Sequence, residues 1–198
     1  MTGANRDSRH VLAETDAGKG SGWVFWITGL AGAGKTTIAR NFFSILVKHD
    51  PRSVVLDGEE LRRVVMPEAG YSISERFECA RRYGLLCKLL SERGLNVVIA
   101  TISMFEECRE WNRKNLSHYF EVYIRAPMEV LVARDQRGLY SGRSGASANM
   151  VVGKDLPCEY PSSPDMTIDN DGTRTPQESA ETLWQEVSTR IRQTRGGL

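Results

Sequence analysis

The chain has 198 residues, 40% of them hydrophobic and 26% charged, with a formal net charge of +1. That is enough chain for one well-packed domain and short for two, and the near-neutral charge gives no general pull toward nucleic acid or a membrane surface. No apolar run approaches the roughly 20 residues that span a bilayer, and residues 1–22 lack the apolar stretch of a signal peptide, so a cytoplasmic protein is expected.

In chain order, residues 1–22 are polar and rich in Gly, Ser and Asp, and read as a flexible arm. A folded domain is expected over 23–191, with a frayed tail over 192–198. Trp23–Thr28 is a short apolar run that predicts a strand. Lys35–Lys48 follows as a helix, with Ile38, Phe42 and Ile45 on one face at helical spacing. Ser53–Asp57 predicts the second strand. Ser72 and Glu75 form a capping-box pattern before a helix that runs to about Arg93, where Gly94 gives a natural stop. Asn96–Thr101 predicts the third strand and Phe105–Asn115 a helix. Phe120–Arg125 predicts the fourth strand, and Pro127 opens a helix to Asp135, since proline suits a first helical turn. Met166–Asp169 predicts the fifth strand. Thr175, Pro176 and Glu178 start the last helix, which buries Leu183 and Val187.

The runs Val-Val-Leu and Val-Val-Ile-Ala are continuously apolar rather than alternating, which suits strands covered on both faces of a parallel sheet. Alternating strands and helices then give an α/β, doubly wound, mainly parallel five-stranded sheet flanked by helices. Active sites in such folds lie beyond the C-terminal strand ends. Three segments stand there: Gly29–Thr36, Asp57–Arg62 and Thr101–Phe105. No internal repeat is visible. Cys79, Cys87, Cys108 and Cys158 have no CxxC or zinc-finger spacing and read as reduced thiols.

Gly29-Leu-Ala-Gly-Ala-Gly-Lys35-Thr36 fits G-x-x-x-x-G-K-[ST] between an apolar strand and an amphipathic helix. Glycines let backbone N–H groups turn inward around a phosphate, and the helix start adds partial positive charge. Gly29, Ala31, Gly32, Ala33, Gly34, Lys35, Thr36 and Thr37 are therefore the expected ATP-binding residues. Lys35 is placed on the β- and γ-phosphates and Thr36 on Mg²⁺. No guanine-reading Asn-Lys-x-Asp segment is present, and the chain is short for a motor or transporter ATPase, so a small P-loop kinase fits best. Asp57 and Glu59, after the second strand, could hold Mg²⁺ or accept the proton of an attacking hydroxyl. Gly58 is expected to make the tight turn that aims both acids into the cleft. A strand-end turn with a solvated acidic pair is the plainer alternative.

Six segments in the same order resemble the adenylyl-sulfate kinases, over about Gly22 to Asp169. They are the phosphate loop within Ile27–Thr37, Leu56-Asp-Gly-Glu-Glu-Leu-Arg62, Gly70-Tyr-Ser-Ile-Ser-Glu-Arg-Phe-Glu-Cys-Ala-Arg-Arg82, Ile102-Ser103, Arg134-Asp-Gln-Arg-Gly-Leu-Tyr140 and Gly153-Lys-Asp-Leu-Pro-Cys-Glu159. The resemblance implies an enzyme that transfers the ATP γ-phosphate to the ribose 3′-hydroxyl of adenylyl sulfate, giving 3′-phosphoadenylyl sulfate for sulfate assimilation. It implies that Lys35, Asp57 and Glu59 are catalytic, with Thr36 and Asp57 on Mg²⁺. Arg62 and Arg76 would hold the acceptor's charged groups, Tyr71 would stack on its base, and Ile102 and Ser103 would line its pocket. Arg134 and Arg137 would meet the ATP phosphates, with 137–158 as a lid. Cationic clamps of this kind suit phosphoryl transfer. Arg81 and Arg82 remain open between binding and a solvated helix face. A small-molecule nucleotide partner is implied, with neither nucleic acid nor membrane, and a homodimer is a further expectation from the family that no sequence patch marks.

The chain departs from the family mainly on the acceptor side. Glu60 and Cys79 each replace an Asn, Met104-Phe105 replaces Pro-Tyr, Arg137 replaces Lys, Ser141-Gly142 replaces a lysine pair, and Val151 replaces a Phe that walls the acceptor base. Cys for Asn removes a strong hydrogen-bonding amide, and Val for Phe removes half of an aromatic sandwich. That pattern suggests the same reaction on a related nucleotide, as in the cytidine diphosphoramidate kinase of capsule biosynthesis. A regulator that binds nucleotide without turnover is the remaining alternative.

Overall fold

The computed structural model describes residues 20–135, 138–143 and 150–195. Five strands form one sheet in the order β2-β3-β1-β4-β5: β1 Val24–Thr28, β2 Ser53–Asp57, β3 Asn96–Thr101, β4 Tyr119–Arg125 and β5 Met166–Asp169. Every pairing is parallel, with Ile27 beside Ala100 on one side and Val122 on the other. The continuously apolar strands are the central ones. β1 and β3 are buried at every position, whereas edge strand β2 is only half-buried. Each expected strand is present, within one residue at either end.

The helices are α1 Lys35–His49, α2 Gly58–Val65, α3 Ile73–Glu92, α4 Glu106–Asn115, α5 Met128–Arg134 and α6 Pro176–Arg195. One face of the sheet is covered by α1 and α6, through Ile38, Phe42 and Leu46 against Ala180, Leu183, Val187 and Ile191. Phe25 meets Phe42 edge-to-face at 5.0 Å, a favoured ring geometry. The other face packs Val24, Trp26, Val97 and Ile99 against Cys79, Tyr83 and Cys87 of α3. Arg109 and Glu121, each 2% exposed, face one another at 3.4 Å and fasten α4 to β4, with Arg113 donating to Glu121 at 2.7 Å. All four cysteines are free.

Two local expectations are corrected. Residues 58–65 form helix α2 rather than a turn, because Asp57 caps it: the Asp57 carboxylate accepts from the backbone N–H of Glu59 and of Glu60. Gly58 is the first helical residue, and its φ is not positive. Glycine is needed there for close approach: a Cβ would lie 2.9 Å from Thr101 Oγ1. At the other end, α6 continues through Arg195, so Arg192–Arg195 are helical rather than a frayed tail. Residues 1–19 of the expected arm lie outside the described residues. The capping box of α3 is present as expected, Ser72 and Glu75 each accepting from the other's backbone. Among the described residues no helix is long and apolar enough to cross a membrane.

Candidate active site

Parallel pairing brings the C-terminal ends of β1, β2, β3 and β4 to one edge of the sheet. The loop after β1 lies at the centre of that edge. Gly29, Gly32 and Gly34 all have positive φ, at 151°, 76° and 93°, a conformation only glycine adopts freely. Gly34 is the N-cap of α1, so the open N–H groups of that helix face the space the loop encloses. Lys35 is 9% exposed, and its Nζ donates to the Leu30 carbonyl at 2.7 Å across the mouth of the loop. Thr37 is exposed on the first turn of α1, and its carbonyl accepts from Asn41.

Thr36 and Asp57 meet directly, the hydroxyl donating to Asp57 Oδ2 at 2.7 Å. Burial would raise the Asp57 pKa, but the Thr36 hydroxyl, the Glu59 and Glu60 N–H groups and the Arg40 charge outweigh it and hold it below the ordinary value. A hydroxyl beside an ionised carboxylate is a hard oxygen pair, which suits Mg²⁺ completed by substrate phosphates and water. Glu59 lies on the first turn of α2, with its carboxylate 3.5 Å from Arg63. Arg63 is the more exposed partner of this pair.

Of the residues expected at the acceptor, the structure brings together Arg62, Tyr71, Arg76 and Cys79. The Arg62 and Arg76 guanidinium carbons lie 4.7 and 5.1 Å from the Tyr71 ring centroid. Arg62 also donates to Cys79 Sγ at 3.5 Å and to the Ala69 carbonyl at 3.4 Å. Arg76 is braced by the Tyr71 and Met150 carbonyls, both at 2.8 Å. Burial lowers its pKa, and the nearby Arg62 charge lowers it further. Two guanidinium groups on one tyrosine ring offer paired donors of the kind that bind oxyanions.

Two of the residues expected at the acceptor, Cys79 of this cluster and Val151, are closed off from solvent. Cys79 is 2% exposed, and Val151 is 3% exposed and packed in the main core, so neither presents an open surface. Ile102 is half-buried, and its carbonyl accepts from Thr28 at 2.6 Å. Ser103 is buried with its hydroxyl 2.6 Å from that of Thr101. Arg82 donates to the Val65 carbonyl at 2.7 Å and pairs, like Arg81, with Glu78. Arg82 therefore ties α3 to the end of α2 instead of decorating a solvated face.

Arg134 ends α5 and reaches Asn170 Oδ1 at 3.4 Å. Arg137 lies outside the described residues, as does 144–149 of the expected lid. What remains of that segment leans on the phosphate loop. The Tyr140 hydroxyl donates to the Ala31 carbonyl at 2.8 Å, and Lys154 Nζ donates to the Tyr140 carbonyl at 3.1 Å. Two residues missed in the sequence therefore support the loop, Asn170 and Tyr140. The available signals were the position of Asn170 directly after the last strand and the Gly-Leu-Tyr motif.

The profile of the adenylylsulphate kinase family matches residues 21–169. The cytidine diphosphoramidate kinase of Campylobacter jejuni is 35% identical over 170 residues, covering 86% of this chain and 99% of that protein. The adenylyl-sulfate kinase of Pseudomonas aeruginosa is 40% identical over 149 residues, covering 74% of this chain and 76% of that one. Among solved structures, the APS kinase of Mycobacterium tuberculosis in complex with AMPPNP and APS superposes with a TM-score of 0.76 at 28% identity, over 85% of this chain and 99% of that one. With that fold and a glycine-rich phosphate-loop motif between β1 and α1, the chain is a nucleotide-binding phosphotransferase that belongs to the adenylylsulphate kinase family.

Proposed function

We propose that this kinase transfers the γ-phosphate of ATP to the ribose 3′-hydroxyl of a cytidine nucleotide bearing an anionic diphosphate tail, with cytidine diphosphoramidate the first acceptor to test. One observation carries the choice of acceptor. Val151, which stands where the family resemblance expects a phenylalanine wall, is turned into the core, and Tyr71 faces guanidinium groups rather than a second ring. A purine gains more from an aromatic sandwich than a pyrimidine does, because stacking scales with ring area, and such pairs are worth about 0.5–1.5 kcal/mol each. The near full-length likeness to the C. jejuni kinase supports the same reading.

Adenylyl sulfate is the second reading. The retained Asp57, Arg62, Arg76, Ile102 and Ser103 favour it, together with the 40% identity to the P. aeruginosa enzyme. Under either reading Lys35 leaves the Leu30 carbonyl for the β- and γ-phosphates, and the inward N–H groups of the loop hold the phosphate oxygens. Thr36 and Asp57 are the residues that would hold Mg²⁺, which supplies charge neutralisation across those phosphates. Asp57, with its lowered pKa, is a weak proton acceptor, so its work is to orient rather than to deprotonate. A loose phosphoryl-transfer transition state asks for little more. Arg62 and Arg76 exchange the Tyr71 face for the acceptor's anionic tail. Lys35, Thr36 and Asp57 are all kept and contiguous, which counts against a non-catalytic regulator.

A 3′-deoxy analogue of the acceptor tests the site of transfer. It should yield no phosphorylated product by ³¹P NMR under conditions that convert the parent. Product from the analogue would reject the 3′ assignment.

A further inference from the structure

The phosphate loop is held from outside as well as from within. Asn170, the first residue after β5, is 8% exposed. Its backbone N–H donates to the Arg125 carbonyl at 2.8 Å, which fixes it to the end of β4. Its side chain has two partners of opposite kind. Nδ2 donates to the Ala33 carbonyl at 2.8 Å, inside the phosphate loop, and Oδ1 accepts from Arg134 Nη2 at 3.4 Å. A carboxamide offers a donor and an acceptor in one plane on a short side chain. An Asp would satisfy Arg134 but turn an acceptor on an acceptor at Ala33. The contact is close: a Cβ on Gly34 would lie 2.4 Å from Asn170 Nδ2.

The Ala33 carbonyl and the Gly34 N–H are opposite ends of one planar trans peptide. Holding the carbonyl outward therefore aims the Gly34 N–H inward, to where a phosphate oxygen would be. The same loop has its Ala31 carbonyl held by the Tyr140 hydroxyl. We propose that Asn170 is a positioning residue of the donor site, setting the phosphate loop and Arg134 together and thereby the affinity for ATP. This rests on reading residues 29–36 as the ATP phosphate loop. It does not depend on which acceptor is used.

The test is titration of a non-hydrolysable ATP analogue with Mg²⁺ into the acceptor-free protein by calorimetry, for wild type, Asn170→Ala and Asn170→Asp. Asn170→Ala should weaken binding about tenfold, equivalent to about 1.4 kcal/mol. Asn170→Asp, nearly isosteric, should weaken it more. In turnover assays the KM for ATP should rise in parallel while the KM for the acceptor stays within about twofold. A purely structural role predicts something else, namely a lower unfolding midpoint with both KM values shifted together, and that result would overturn the proposal. So would wild-type affinity in Asn170→Ala, a variant that removes atoms and introduces no repulsion. Wild-type protein that bound no ATP analogue would instead overturn the phosphate-loop reading.

Discussion

The Thr36 hydroxyl donates to the Asp57 carboxylate at 2.7 Å, joining the first turn of α1 to the cap of α2. One carboxylate thus stands at the proposed metal position and caps the helix that carries Arg62. Replacing Asp57 by Asn keeps the shape and part of the cap but removes the charge. Turnover should fall by about 10²–10³, the range for losing a charge-stabilising group at the reacting phosphate, while affinity for ATP without metal changes little. Binding and turnover lost in equal measure would make Asp57 structural. Against its burial, the Thr36 hydroxyl and the Glu59 and Glu60 N–H groups chiefly hold the carboxyl below its ordinary 3.8, so it is ionised at neutral pH. Asp57 should therefore put no inflection into kcat/KM between pH 5 and 8, a window about a unit or more above a carboxylate's unperturbed pKa. An acid limb near pH 6 that Asp57→Asn abolishes would contradict this.

Lys35→Ala removes a positive charge from the mouth of the loop. Transfer should drop by about 10²–10³, as for other transition-state charge contacts, measured as single-turnover rate at saturating ATP. Activity within tenfold of wild type would remove Lys35 from the chemistry.

Gly58→Ala sets two effects against each other. Helix propensity alone favours Ala by about 1 kcal/mol. The new Cβ would meet Thr101 Oγ1 at 2.9 Å and the Ala100 carbonyl at 3.1 Å, and overpacking of that kind costs about 1–3 kcal/mol. The clash should win, giving a lower urea midpoint. A raised midpoint would show that the β3–α2 contact yields easily.

Asp135 is titrated by its turn. Burial pushes its pKa up, but the Ser141 side chain and the N–H groups of Tyr140, Ser141 and Leu139 outweigh that and bring it to about 2, from 3.8. The folded pKa is depressed, so the stability it adds is present above the unfolded value and lost as pH falls through the folded one. Carboxyl NMR should find its midpoint near 2. Asp135→Asn should flatten the pH dependence of stability between about 4 and 2, the window set by those two values. An ordinary midpoint near 4 would refute the turn's hydrogen bonds.

Much of this was legible in the sequence because it is local. The apolar runs fixed all five strands, and the phosphate-loop glycines and the Ser72–Glu75 box carry their conformations in neighbouring residues. Helix α2 was hidden because its signal is a carboxylate that ends a strand and caps a helix at once, with Gly58 reading as a turn. The supports of the loop were hidden for a different reason. Asn170 bonds a residue 137 positions away, and Tyr140 one 109 positions away; no local pattern encodes such pairings. Val151 was recognised as a departure, but only the packing shows it directed into the core.

The most direct measurement is the ratio of kcat/KM for cytidine diphosphoramidate to that for adenylyl sulfate, with wild-type protein at saturating ATP and Mg²⁺. The buried Val151 and the guanidinium-covered Tyr71 predict a ratio above one, between about twofold and tenfold if one stacking wall of about 0.5–1.5 kcal/mol decides it. A ratio below one, with kcat/KM for adenylyl sulfate of about 10⁴ M⁻¹s⁻¹ or higher, would mean that Cys79 and Val151 are tolerated variation in an adenylyl-sulfate kinase.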